Sequence, residues 1–408
     1  MKKLTVIIVL AGFAILYGCQ EKTPSLVPDQ LGSVRPDQGE MSEERLAYLD
    51  EVIGQAVKNK EFPGADVLVA RKGRTVYRKI FGDSQWIPER KSMTQGMMFD
   101  LASMTKPIAT ATSIMILVER GKIRLWDQVK EFVPEFKPFV DEEGEESGDV
   151  RLWHLLTHTS GLPPYCEAQE VREKYGDPCP VDVLVNHIAG LEKLNPPGEE
   201  FHYSCLGFIT LAFVIREITG ESVAEFARKN IFDPLGMKQT CYTPEGAMLE
   251  KCVPTEVIDG QPLIGVVHDP LARVQGGISG NAGLFSTADD LAVFAQMLLN
   301  GGWFGDARIL SPLTVERMIE VFHGVTFAGR GLGWDLDSSY STSGGDLFGS
   351  RSFGHTGYTG TSIWIDPETE TVIIFLTNRV HPDDSGSISS LRSKVANVVA
   401  GSILKIEQ

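Results

Sequence analysis

The alternation of apolar and polar positions divides the chain into a β-rich start, a helical middle and a β-rich end. From Ser42, SEERLAYLDEVIGQAVKN places acids in its first turn and apolar residues at helical spacing, which predicts an amphipathic helix. ADVLVARKGRTVYRKIFG follows as two β-rich runs on either side of Lys72-Gly73, a hairpin signal. Beyond DLASMTKPIATA, residues Ile108, Ala111, Met115 and Val118 recur at helical spacing until Gly121 can cap the end. From about 122 to 270 the pattern breaks into short helices and long loops. SFGHTGYTGTSIWIDPETETVIIFLTNRV then reads as strands punctuated by glycines and a Pro367 turn, and SSLRSKVANVVAGSIL closes with a helical pattern. The order predicts an α+β fold, an α/β sandwich with one antiparallel sheet built from about 42–102 and 271–408 and flanked by N- and C-terminal helices. A mostly helical part over about 103–270 is inserted between them, and the cleft between the two parts is the expected place for a site. No internal repeat is apparent.

The first residues change the picture of where the chain acts. MKKLTVIIVLAGFAILYGCQ has two lysines and then an apolar stretch from Leu4 to Tyr17, too short for a comfortable membrane span, so residues 1–18 read as a secretion signal. LYGC resembles a bacterial lipobox, with Cys19 as the acylation site, although Tyr17 is bulky for that motif. A signal cleaved elsewhere or an uncleaved anchor are the alternatives. A lipidated Cys19 would hold the chain on a membrane, and Gln20 beside it favours an outer membrane facing the periplasm in a cell that has two. Residues 19–41 are polar, contain three prolines and read as a flexible tether, so the folded domain is expected over 42–408.

Composition removes some classes of function. The 408 residues are 42% hydrophobic and 23% charged, a globular balance, and the net charge of −16 repels phosphate backbones, which excludes nucleic acid as a partner. The acidic insert DEEGEESGD at 141–149 lacks the spacing of an EF-hand and reads as a solvated loop. Cys166 with Cys179 and Cys241 with Cys252 are local pairs that an oxidising compartment would allow to bridge, although sequence leaves connectivity open. Cys205 is left over, either a small packed residue or a second nucleophile. His154 and His158 stand one helical turn apart without a third ligand, so neither a metal nor another cofactor is expected. Trp153, Trp334 and Trp364 are expected in core or rim packing rather than as cleft-lining groups.

The candidate chemistry begins at Ser103. A serine hydroxyl is a poor nucleophile until something removes its proton, and Lys106, three positions on, shares its helix face. Burial and nearby cations are expected to lower the lysine pKa toward neutrality. Pro107 tolerates only an early helix position, which puts Ser103 at the very start, where backbone N–H groups and the positive dipole end favour a developing anion. A plain helix cap is the bland alternative. The S-x-x-K pattern also occurs at Ser402 to Lys405, where nothing is assigned to it. PPGEEFHYSCLGF puts Tyr203 on a loop before an apolar helix, and FGHTGYTG puts His355-Thr356-Gly357 on a strand. A tyrosine aimed at a Ser/Lys pair can relay a proton to a leaving group, and a glycine-flanked strand edge lets a carbonyl approach backbone N–H groups.

These three blocks, in this order, resemble the serine β-lactamase and penicillin-binding-protein family, in its class C, esterase and D-amino-acid-handling branch. LWHLLTHTSGLP, GVVHDPLA, GGISGNAGLFSTADDLAVFAQMLLNGG, GHTGYTGTSIWIDP and LTNRVHP extend the likeness, most nearly to its muropeptide-amidase-like subgroup, over roughly residues 42–400. The resemblance implies Ser103 as acylated nucleophile, Lys106 as its base partner and Tyr203 as general base and acid. It also implies an oxyanion hole from the backbone N–H groups of Ser103 and Tyr358, with His355, Thr356, Gly357 and Cys205 around the substrate. Two departures stand out. His355 replaces the usual lysine of Lys-Thr-Gly, exchanging a permanent cation for a group mostly neutral at pH 7, and Cys205 replaces the asparagine that usually ends the tyrosine motif. Three functions follow as expectations. The first is a lipid-anchored serine hydrolase of a cell-wall peptide amide or small ester. The second is a β-lactamase or D,D-carboxypeptidase, and the third a catalytically weak sensor that binds penicillin or muropeptides. The oligomeric state is left open.

Overall fold

A computed structural model describes residues 31–322 and 324–406. The signal expected over 1–18 and Cys19 lie outside the described residues. Ser42 caps a single turn, Glu43–Leu46, by accepting the Arg45 N–H, and helix α1 (Tyr48–Lys58) continues from it. Strands β1 (Gly64–Arg71) and β2 (Arg74–Gln85) form the expected hairpin. Its turn residues Lys72 and Gly73 have φ of 50° and 73°, the left-handed pair whose twist suits two-residue hairpins. Short strands β3 (Lys91–Ser92) and β4 (Phe99–Asp100) precede helix α2 (Thr112–Glu119). The middle of the chain supplies helix α3 (Cys205–Thr219) and strand β5 (Cys241–Tyr242). Strand β6 (Leu284–Ser286) and helix α4 (Ala288–Leu299) follow. The last part holds β7 (Phe353–Thr356), β8 (Thr361–Asp366), β9 (Thr371–Thr377) and helix α5 (Ser389–Gly401).

The main sheet runs β7-β8-β9-β1-β2-β3, with every pair antiparallel. It is closed across the two ends of the chain by β1 against β9, with Ala65 opposite Thr377. Because side chains alternate along a strand, each strand serves two cores. Val67, Val69, Ile373 and Phe375 face Leu49 and Ile53 of α1 and Leu391, Val395 and Val399 of α5. Leu68, Ala70, Ile363, Ile374 and Leu376 face the opposite core, shared with α2, α3 and α4. Both faces are thus covered, the sandwich that the pattern predicts. A small second sheet, β4-β6-β5, ties the segment before Ser103 to the middle of the chain.

Two expectations are corrected. Residues 31–41, assigned to the tether, pack onto the domain: Leu31 and Met41 are buried, and the Val34 N–H donates to the Thr75 carbonyl at 2.9 Å. The Arg71 guanidinium donates to the Gly39 and Glu40 carbonyls at 3.1 and 2.8 Å. Three apolar residues scattered among polar ones suffice, because the edge of the hairpin supplies the partners. The cysteine pairs are not bridged either, since Cys166, Cys179, Cys205, Cys241 and Cys252 are all free thiols. The acidic insert forms a small exposed ribbon, Phe139–Val140 with Glu146–Ser147, in which Asp141 accepts the Glu143 and Glu145 N–H groups.

Candidate active site

The approach to Ser103 is not the regular helix start that periodicity suggests. A 3-10 turn, Ala102–Met104, is followed by a wide π-type turn, Lys106–Ala111, before α2 begins. Pro107 has no N–H to give to a carbonyl one turn back, and the Thr112 hydroxyl donates to the Pro107 carbonyl at 2.8 Å. The widened turn carries the Lys106 side chain inward, where it is fully buried.

There Nζ donates to Ser103 Oγ at 3.0 Å, to the Asn281 carbonyl at 2.9 Å and to Cys205 Sγ at 3.5 Å. Three acceptors match the three hydrogens of an ammonium. Burial pushes the amine down, but Cys205, Tyr203 and Asp269 beside it outweigh that, and its pKa is raised. This corrects the expected drop toward neutrality: the neighbours of Lys106 are acidic groups, which favour the charged form.

Tyr203 completes the group. Its ring lies 5.1 Å from Lys106 Nζ and stacks on His158 at 4.3 Å between centroids. His158 Nδ1 accepts the Ser204 N–H at 3.0 Å, which fixes the loop carrying the tyrosine, and burial holds its imidazole well below the usual range, hence neutral. His154, its helical neighbour, instead accepts the Arg151 N–H and packs at a tilt against Trp153, so the two histidines serve separate structural roles. Cys205 opens α3 with its thiol turned to Lys106 and Asn281, and burial raises its pKa more than Lys106 lowers it. Its thiol is therefore packed against Lys106 Nζ inside this buried cluster. Ser103 with Lys106 and Tyr203 with Cys205 come from two stretches about a hundred residues apart and converge.

A cleft of about 360 Å³ opens over Ser103 and Tyr203, with His355, Thr356, Gly357 and Tyr358 on its far wall. A Cβ on Gly357 would come within 2.4 Å of the Leu101 carbonyl oxygen, so only glycine lets the end of β7 lie against the serine turn. Tyr358 turns its ring outward and its hydroxyl donates to Asp384. His355 is buried with Nδ1 2.8 Å from the Thr356 carbonyl, and burial, then Arg330 and Lys106, hold it far below its ordinary pKa. The histidine in place of lysine is thus neutral, as the sequence suggests. Trp153, Trp334 and Trp364 are all buried in core packing.

Sequence reasoning missed a second cation. Arg330 is only 1% exposed yet borders the cleft, over the rings of Phe201, Tyr203 and Tyr340 at 5.5, 5.5 and 5.8 Å. Its sole acidic neighbour among the described residues is Asp335 at 3.5 Å, and its Nε and Nη1 have no hydrogen-bond partner. Nothing in GRGLGW marks this arginine, because its meaning comes from the rings that the fold stacks beneath it.

Comparison with known proteins agrees with this geometry. The Beta-lactamase family model matches residues 49–396. A protein of Escherichia coli (strain K12), provisionally named D-alanyl-D-alanine carboxypeptidase, is 29% identical over 380 residues, covering 85% of each chain. A Salmonella typhimurium protein of the same name is 30% identical over 378 residues, covering 86% of each. Among solved structures, the octameric penicillin-binding protein homologue from Pyrococcus abyssi superposes with a TM-score of 0.66 at 26% identity, over 86% of this chain and 76% of that one. EstCE1, described as a hydrolase with promiscuous acyltransferase activity, shares the fold with a TM-score of 0.70 at 23% identity, over 88% and 99%. With its matching motifs, its sheet and its hydrogen-bonded Ser103/Lys106 pair, the chain belongs to the beta-lactamase family of serine hydrolases.

Proposed function

We propose that the protein hydrolyses a cell-wall peptide amide whose leaving portion carries a free carboxylate, through an acyl-enzyme on Ser103. The observation that carries this reading is the convergence of Ser103 Oγ, Lys106 Nζ and Tyr203 at one cleft beside the buried Arg330 guanidinium, whose Nε and Nη1 have no hydrogen-bond partner.

Tyr203, beside Lys106 Nζ, acts as the general base that takes the proton of Ser103. Ser103 Oγ forms a bond to the substrate carbonyl carbon, and the resulting oxyanion is held by the Ser103 and Tyr358 N–H groups. The carbon–nitrogen bond then breaks as Tyr203 returns its proton to the leaving amine. Water repeats the cycle on the ester, and Ser103 regains its proton. Arg330, packed on the Tyr203 ring, stands where the departing half would place a carboxylate, and a charge-assisted contact there supplies the cation that His355 lacks.

A small neutral ester is the second reading, favoured by the openness of the cleft mouth at the exposed Tyr340 and Tyr358. Purified protein and Ser103→Ala are compared on muropeptides, p-nitrophenyl acetate and nitrocefin. Release of a carboxylate-bearing amino acid from muropeptides, lost by at least about 10³-fold in Ser103→Ala, is expected. Turnover of the ester alone favours the second reading, nitrocefin turnover a β-lactamase, and an inert wild type a sensor. Export and acylation at Cys19 belong to the same proposal, and mass measurement of the mature N-terminus, with and without Cys19→Ala, checks them.

A further inference from the structure

We infer that Asp100 is a positioning residue that sets the spacing between the two oxyanion donors, because it binds the turn that carries Ser103 and the turn that carries Tyr358 at once. The inference rests on the reading of Ser103 as nucleophile and of the Ser103 and Tyr358 N–H groups as those donors.

Asp100 ends β4 and is 2% exposed, so both carboxylate oxygens need partners inside the protein. Oδ1 accepts the Ala102 N–H at 2.8 Å. Ala102 has φ of 46°, a left-handed conformation that is strained for a residue with a Cβ. The side chain of Asp100 thus holds the strained link immediately before Ser103, in the way Asp side chains stabilise tight turns two residues on.

The remaining polar atoms of Asp100 reach the opposite wall. Its carbonyl accepts the Thr359 hydroxyl at 2.7 Å, directly after Tyr358, and the next carbonyl, of Leu101, accepts the Thr361 hydroxyl at 3.2 Å. Oδ2 accepts the His268 N–H at 2.7 Å, and the His268 ring stacks on Tyr358 at 5.8 Å with 20° between planes. One residue therefore grips Ala102 on one side and, through Thr359 and His268, both flanks of Tyr358 on the other. A hole for an oxygen anion works only if its donors already stand at hydrogen-bond distance from where the charge develops, so a small change in their separation costs rate without changing ground-state binding.

Asp100→Asn keeps the shape and the Ala102 acceptor but turns an amide N–H toward the His268 N–H. Thr359→Val removes the hydroxyl that bonds the Asp100 carbonyl, and Thr359→Ser restores it. An arylboronic acid, whose tetrahedral adduct on Ser103 places an oxygen anion in the hole, is the probe. Asp100→Asn and Thr359→Val are expected to lose about 10- to 100-fold in both boronate affinity and kcat for p-nitrophenyl acetate. Their KM should stay within about threefold, a fluorophosphonate should still label Ser103 to full stoichiometry, and Thr359→Ser should recover most of the loss. Unchanged boronate affinity in both variants, or a loss of kcat matched by a loss of labelled Ser103, would overturn the inference. A wild type that no fluorophosphonate or boronate engages would instead overturn the reading of Ser103 itself.

Discussion

The chain writes Ser-x-x-Lys twice, and only one copy is assembled into a site. At Ser103 the lysine is buried, spends three hydrogens on three acceptors and sits under a tyrosine ring. At Ser402 the hydroxyl donates to its own helix, to the Val398 carbonyl at 2.7 Å, while Lys405 is exposed. The local spacing is identical. The difference lies in Tyr203, Cys205 and Asn281, which arrive from elsewhere in the chain and turn a helix-end pattern into a buried cluster of polar groups at a cleft. A short motif therefore states which groups can meet, and the surrounding fold states what they can do.

That contrast can be broken or sharpened by mutation. The largest effect after loss of Ser103 itself is expected for Tyr203→Phe, which keeps the ring on His158 but removes the oxygen: kcat should fall at least about 100-fold, and near-normal turnover would remove Tyr203 from the proton path. Arg330→Gln should next separate recognition from chemistry. Loss of a buried charge-assisted contact lowers kcat/KM about 10- to 100-fold for a carboxylate-bearing peptide, while p-nitrophenyl acetate changes by no more than about threefold. An equal loss on both substrates would assign Arg330 to the architecture of the cleft.

A smaller effect concerns acid. His158 and His355 in the inner site, and His154 behind it, are kept neutral by burial, His154 down to about 3. The unfolded chain takes up protons near the ordinary value of 6.5, whereas the folded one does so only far below it, so the stability these groups permit is present above pH 6.5 and is lost as pH falls toward the folded values. Each histidine should cost about 1.4 kcal/mol at pH 5.5, and melting curves at pH 7.5 and 5.5 measure it. The difference should shrink in His154→Gln, and an unchanged Tm across that range would contradict the burial of these rings. Smallest of all, Ser402→Ala should leave turnover within about twofold and cost about 1 kcal/mol in stability, read by denaturant midpoint.

Much of this fold is legible in the pattern because it depends on short-range periodicity. The Lys72-Gly73 hairpin, the helix from Ser42 and the three strands after Phe353 show it in their alternation and turn residues. Packing of residues 31–41 was not legible, since Leu31, Val34 and Met41 gain their partners from the hairpin edge rather than from one another. In the site, Ser103, Lys106, Tyr203 and His355 announce themselves by spacing and flanking glycines. Arg330, His158 and Asp100 do not, because each acts through contacts with residues far away in sequence.

By itself, then, the sequence determined the order of strands and helices, the family likeness and the identity of the hydroxyl, amine and phenol, all of which are properties of neighbouring residues. The tertiary structure alone decided the charge on Lys106, the burial of the Arg330 guanidinium at the cleft with two nitrogens unbonded, and the grip of Asp100 on both walls. Those depend on burial and on partners that only folding brings within a few ångströms, where the cost of an unmatched charge is high.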